Sequence, residues 1–495
     1  MIKKRLLPLL LAVLLTLLLG AETLAAVDIP YDSYIYNYRG YIEFTPAPYI
    51  PDGNVGGIEL GVGSFNFPRG MCVGPDGRVY VADTGNNRVV VTNPAMTEAE
   101  MVITEFTNTD ADGVRFQDTF NKPWGVTVSE RGQLYIADSD NLRIVVLEEG
   151  ELVKIIQNPQ SEMLEPDFAF KPLEMGVDYA DRVYVVAQGM FEGIMVFNAE
   201  GDFTGFYGTI PVQVSLWQQF WRLFSSQEQR ARQQLFIPTE FTGVSVDKEG
   251  FIYASCIDPQ GTQAAFRLNP KGEDVIKKGE NGNLGGDTDP VPDTYNVYSG
   301  PSYIVDIVVR DKGVYSLLDR KRGRVFTYDN EGNMLYIFGG LGTQSGTFRL
   351  PSSIAYSGDK ILVLDTDRQE IMAFKETEYG RLINEAVGLR YDGDEKEAVE
   401  KWRQVLTLNE NLELANIGIG KAYLTEGNNE EAMRHLKLGM NRTYYSIAFK
   451  RYRNDILKEN LGNILTAAAV LLVGLYVWRK IRRRGRRKGE VMGDE

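Results

Sequence analysis

Over most of its length the chain alternates short apolar runs with polar turns. In "RVYVADTGNNRVVV" (78–91), two runs rich in valine flank a hinge of Asp, Asn and Arg. Runs of this length, rich in β-branched and aromatic residues and bounded by Gly, Asn and Asp, predict strands joined by tight turns. The pattern recurs. Laying residues 67–91 over 122–146 puts Pro68 on Pro123, Gly70 on Gly125, Tyr80 on Tyr135, Asp83 on Asp138 and Arg88 on Arg143, a step of 55 residues. The same core continues as "KPLEMGVDYADRVYVVAQ" from Lys171, "GVSVDKEGFIYASC" from Gly243, "DIVVRDKGVYSLLD" from Asp306 and "SIAYSGDKILVLD" from Ser353, giving six units.

Each unit reads as strand, turn, strand, polar turn, strand and, usually, a fourth strand such as "ELVKIIQ" or "NMLYIFGG". Repeats of about 40–50 residues holding four short strands predict a β-propeller, whose sheets bury both faces against their neighbours. The turn between second and third strands, "DTGNNR" in unit one and "DSDNLR" in unit two, resembles the NHL repeat with its Asp-x-x-Asn-x-Arg hallmark. The match is partial in unit five, "DRKRGR", and lost in units three, four and six, where Ala187, Cys256, and Asp365 with Glu370 hold the Asp and Arg places. A turn used six times is expected to staple the fold. Asp83 with Arg88, Asp138 with Arg143 and Asp319 with Arg324 are the expected pairs, with positive φ at Gly85 or Asn86. The alternating segment 32–44, which precedes unit one and lacks a partner, is expected to close the ring against unit six.

Two features break the repeat. Where the innermost strands begin, the repeat column reads Gly70, Gly125, Glu174, Gly243, Asp306 and Ser352. Two carboxylates facing one channel, Glu174 and Asp306, could hold a divalent cation such as Ca2+. Gluconolactonase-type propellers, which this arrangement resembles, keep a catalytic metal at such a place with Glu, Asp and Asn, but Asn partners are not identifiable here. Between units three and four, residues 213–234 carry helical periodicity. Phe220 and Phe224 share a face edged by Trp217 and Trp221, as expected of a helix packed on the barrel wall or docking a partner or membrane.

After residue 378 helix formers take over. Ala398-x-x-x-Trp402 recurs as Ala432-x-x-x-Leu436, a step of 34 residues. This period, with its small residues and acidic inter-helix turn, resembles the tetratricopeptide repeat and implies a short helical segment over 379–458, either a spacer or a peptide-binding element. Residues 459–479 follow as an expected transmembrane helix, apolar and uncharged from Leu461 to Trp478 with Tyr476 and Trp478 at its end, and "RKIRRRGRRK" begins at Arg479. About 18–20 apolar residues span a bilayer as a helix, and the basic cluster (480–495) is expected to stay cytoplasmic. Residues 1–26 have the basic, apolar and small-residue regions of a signal peptide. The expected layout is therefore an exported propeller over 27–378 on a single-pass membrane anchor.

Charge sharpens this. The net charge of −14 becomes about −21 once the basic ends at 1–26 and 479–495 are set aside, which argues against nucleic acid as a partner. The two cysteines, Cys72 and Cys256, fall in units one and four, too far apart to bridge, and are expected to be free thiols. The sole histidine, His435, lies outside the propeller, which removes His-dependent triads and His-ligated zinc and weakens the amidating-lyase type of NHL enzyme. The arrangement resembles exported single-pass bacterial NHL propellers, implying an extracellular binding or scaffold protein for a protein or glycan ligand, beside membrane transport proteins. The alternative is a metal-dependent lactonase-like hydrolase.

Overall fold

In the computed structural model, residues 29–165, 167–208, 240–259, 261, 263–279, 284–287 and 299–491 are described. The signal segment 1–26 and the whole aromatic insertion 213–234, including Trp217, Phe220, Trp221 and Phe224, lie outside them. Two compact units are present, divided after Asn384.

The first unit is a six-bladed β-propeller. Second strands explain why: Val79–Asp83, Leu134–Asp138, Val183–Ala187, Ile252–Cys256 and Tyr315–Asp319 are buried at every position. Side chains of a strand alternate between faces, so each blade feeds two cores at once. Val79 and Val81 join Leu362 and Leu364 of blade 6, while Tyr80 and Ala82 join Leu134 and Ile136 of blade 2. The same division repeats between blades 2 and 3, 3 and 4, and 4 and 5. Between blades 5 and 6 the filling is aromatic, with Tyr49 stacked on Phe338 at 5.1 Å and Phe338 against Phe374 at 5.5 Å.

Ring closure differs from the expectation. Three strands precede blade 1: β1 (Tyr34–Tyr36), β2 (Ile42–Phe44) and β3 (Tyr49–Gly56). It is β3 that completes blade 6, pairing Tyr49 with Glu376 and Gly56 with Glu370. Segment 32–44 instead forms the β1–β2 hairpin on the outer edge of blade 5, where Tyr34 pairs with Ile337. The phenols of Tyr34 and Tyr36 fasten it by donating to buried Asp287 at 2.7 and 2.6 Å. β3 escaped the pattern because "YIPDGNVG" has Pro, two Gly and no alternation. An outermost strand tolerates these, and its register shifts opposite Met372–Phe374. Among the described residues blade 4 has three strands, and a hairpin (Glu105–Thr109 with Arg115–Thr119) sits between blades 1 and 2.

Five helices follow: α1 (Glu378–Asp392), α2 (Glu395–Leu408), α3 (Glu413–Glu426), α4 (Asn429–Leu438) and α5 (Arg442–Val491). In the second unit α2 and α4 begin 34 residues apart. Gly418 lies against the Trp402 indole and Gly420 against Leu436, so small residues let these helices approach closely. Within α5, residues 442–483 are long and apolar enough to cross a membrane, and Val470, Leu471 and Leu472 are each about two-thirds exposed.

Tyr49 is fully buried and closes the ring, so Tyr49→Ala should cost about 3–5 kcal/mol. Ile42→Ala on the exposed β2 should cost under about 0.5 kcal/mol. Urea unfolding followed by tyrosine fluorescence separates the two.

Candidate functional site

The polar turns are staples in blades 1 and 2. Asp83 is fully buried; one oxygen accepts from the Asn66 amide at 2.6 Å and the other from Asn86 at 2.8 Å and Arg88 Nε at 2.7 Å. Arg88 goes on to the Val62 carbonyl at 2.8 Å. Blade 2 repeats this with Asn121, Asn141 and Arg143 around Asp138, and Arg143 also grips Asp118 at 2.7 and 3.0 Å. Burial raises the Asp138 carboxyl, and these donors oppose the rise. The left-handed residue of the turn is Asn87 in blade 1 and Leu142 in blade 2, at φ 53° and 56°, rather than Gly85 or Asn86.

Blade 5 departs from the expected pairing. Asp319 accepts from the Tyr303 and Lys321 amides at 2.8 Å and from Ser302, and its cation is Arg322 at 3.8 Å. Arg324 donates to the Asp32 and Gly339 carbonyls and lies over the Tyr34 ring at 5.2 Å. The β1–β2 hairpin, invisible in the repeat alignment, has taken this arginine. In blade 6 Asp365 keeps the buried role, accepting from the Arg349 amide at 2.6 Å and the Arg368 amide at 2.9 Å.

The residue after each turn Asp is a link that sequence reasoning missed. Thr84 donates to the Pro123 carbonyl at 2.7 Å, Ser139 to Pro172 at 2.6 Å and Thr366 to Pro68 at 2.7 Å. Arg320 Nε does the same to Pro351 at 3.1 Å. Each bond runs from one blade to the first strand of the next. A hydroxyl beside every well-formed Asp was the available signal.

Glu174 and Asp306 occupy equivalent places on the innermost strands of blades 3 and 5, and the Asp306 charge acts on Glu174. By strand register the sixth member of the column is Ser353, not Ser352: it pairs with Leu364 as Glu174 pairs with Val186 and Asp306 with Leu318. Each acid lies against a glycine of the preceding blade: a Cβ on Gly125 would meet Glu174 Oε2 at 2.8 Å, and one on Gly243 would meet Asp306 Oδ1 at 2.6 Å. Asp306 Oδ1 accepts from the Ile307 amide of its own strand at 2.8 Å, while Oδ2 joins blade 5 to blade 6 by accepting from the Ile354 amide at 2.8 Å and Ser353 Oγ at 2.9 Å. Burial pushes Asp306 up to about 6 against those donors and the Arg320 charge. Burial, then the Asp306 charge, raises Glu174 well above the carboxylate range. Among the described residues no group of three or more His, Cys, Asp or Glu side chains could hold a metal ion.

Cys72 is half-buried, Cys256 is buried, and both thiols are free. His435, in the helical unit, faces Asn416 Oδ1 at 3.1 Å, and burial lowers its pKa.

Two outcomes follow. Asp138→Ala strands a buried amide and a guanidinium, and should cost about 3–5 kcal/mol in urea unfolding. For the channel pair, unfolded carboxyls titrate near about 4, so between there and about 6 the folded state holds the extra protons. Stability should therefore fall as pH rises through that window and stay lower above it. Glu174→Gln should flatten the fall, making the variant more stable than wild type at pH 8 and equal to it at pH 4.

No curated protein matches the chain. Solved structures that resemble it include selenomethionine-substituted virginiamycin B lyase from Staphylococcus aureus, at 11% identity and TM-score 0.39, covering 63% of this chain and 95% of that one. A putative gluconolactonase is 13% identical with TM-score 0.39, covering 67% and 94%. Kuenenia stuttgartiensis hydrazine synthase is 11% identical with TM-score 0.39, covering 66% and 99%. The family model for the NHL repeat matches residues 65–91 and 120–147, the two units whose turns carry complete Asp–Asn–Arg sets. The chain is thus a six-bladed β-propeller whose first two blades carry NHL repeats.

Proposed function

We propose that the protein is a membrane-anchored binding or scaffold protein. Its propeller holds a protein or glycan ligand outside the cell, and its helical unit docks a membrane partner such as a transport protein. The observation that carries this reading is α5, which continues without a break from the small helical unit through an apolar, exposed segment of membrane-spanning length. The cluster of eight Lys and Arg directly after residue 478 supports a cytoplasmic end for that helix, and the segment 1–26 supports export. The channel favours binding over lactone hydrolysis, because both Asp306 oxygens already accept hydrogen bonds, Oδ1 from its own strand and Oδ2 from blade 6, instead of being presented to a cation.

In intact cells, added protease should digest the propeller and leave a carbonate-resistant membrane fragment containing α5. Affinity capture from detergent-solubilised membranes should recover partners with the full chain and lose some of them on deletion of residues 214–234. Capture unchanged by that deletion, together with lactone hydrolysis by the purified protein, would overturn the reading.

A further inference from the structure

The channel end at which the innermost strands begin has an unusual charge arrangement. The half-buried guanidinium of Arg69 in blade 1 lies over the Trp124 ring of blade 2 at 4.7 Å. From blade 5, Arg320 reaches over blade 6, where its Nε meets the Pro351 carbonyl and leaves the two terminal nitrogens of the fork for another acceptor. The two cations are close enough that Arg69 lowers the Arg320 pKa, an effect second only to burial. Among the described residues neither has a carboxylate within ion-pair distance, whereas Arg88 and Arg182 each have one and Arg143 and Arg322 each have two. At the same end, Lys122 and Lys171 share a single carboxylate, Asp140, at 2.8 and 2.7 Å. This is a local excess of positive charge on a strongly acidic protein.

Beneath it one counter-charge, Asp306, acts on Arg320 from beyond ion-pair distance. Its Oδ1 is taken by the Ile307 amide of its own strand and its Oδ2 by Ser353 and Ile354 of blade 6. Two aromatic rings complete the mouth: the half-buried indole of Trp124, and Tyr303, which is 41% exposed and whose carbonyl accepts the Arg320 amide at 3.0 Å. Guanidinium forks match the planar geometry of a carboxylate, and aromatic faces offer apolar area to the C–H face of a sugar ring.

We propose that this mouth, formed by Arg69, Trp124, Tyr303 and Arg320, binds the carboxylate of a uronic-acid sugar in an acidic glycan. The proposal rests on the binding reading above and supplies its ligand class. Arg69 and Arg320 take the carboxylate, and the rings seat the sugar.

Titration calorimetry of the full chain in detergent micelles at low salt tests it, with trigalacturonate, neutral galactotriose and a triglutamate peptide as probes. Trigalacturonate should bind and galactotriose should not. Arg69→Gln and Arg320→Gln should each weaken binding about tenfold or more, Arg69→Lys should lie between, and Trp124→Ala should weaken it also. Arg69 makes no side-chain hydrogen bond among the described residues, so its variants should melt at the wild-type temperature and serve as the decisive pair. Absence of trigalacturonate binding, affinity unchanged by both arginine variants, or equal affinity for triglutamate would overturn the proposal. Such a failure beside intact membrane partners removes the ligand and leaves the binding role. Failure of the protease and capture experiments removes the role while the anion site remains measurable.

Discussion

A sheet with two apolar faces has no stable existence alone, and every other property of this propeller follows from that. Alternation along Val79–Asp83 sends Val79 and Val81 to one neighbour and Tyr80 and Ala82 to the other. Each fully buried side chain of this size contributes about 1.5–3 kcal/mol, and half of each blade's share is realised only when the adjacent blade is in place. The ring has to close for any blade to keep both of its cores. That requirement recruits β3 into blade 6 and makes the Tyr49–Phe338–Phe374 cluster as important as any of the repeated interfaces.

Polar groups then fix how the apolar faces meet. Asp83 binds the incoming loop at Asn66, its own turn at Asn86 and the outgoing strand at Arg88, while Thr84 beside it crosses to blade 2. Asp306 performs a related task at the channel, holding Ser353 and Ile354 of blade 6. Carboxylates in such positions are retained by the amides they satisfy, since those amides would otherwise be buried without acceptors.

The repeat was legible because one local solution is written several times; two columns, Asp and Arg, were enough to place the first two turns correctly. It misled where a neighbour outside the repeat intervened. Arg324 stands in the aligned column but is claimed by carbonyls of Asp32 and Gly339, and Arg322 approaches Asp319 instead. The channel position in blade 6 is Ser353, two residues after Pro351, as Gly125 and Glu174 stand two after Pro123 and Pro172; aligning on that proline would have placed it. The same column-by-column reading passed over Arg69 and Trp124, one place before the glycines it singled out. Their meaning depends on a cross-blade approach that has no sequence spacing.

Closure by β3 also sets a schedule for folding. Residues 49–56 leave the ribosome long before residues 370–376, the strand they must pair with. Until then blade 6 has neither its own strands nor its outermost one, and β3 waits as an unpaired edge. Contacts separated by more than 300 residues are slow to form and leave such edges open to other chains. The proline and two glycines that hid β3 from pattern reading weaken it as a template for foreign strands during that wait. The irregular composition of the closing strand thus guards the chain through the period in which the ring is still open.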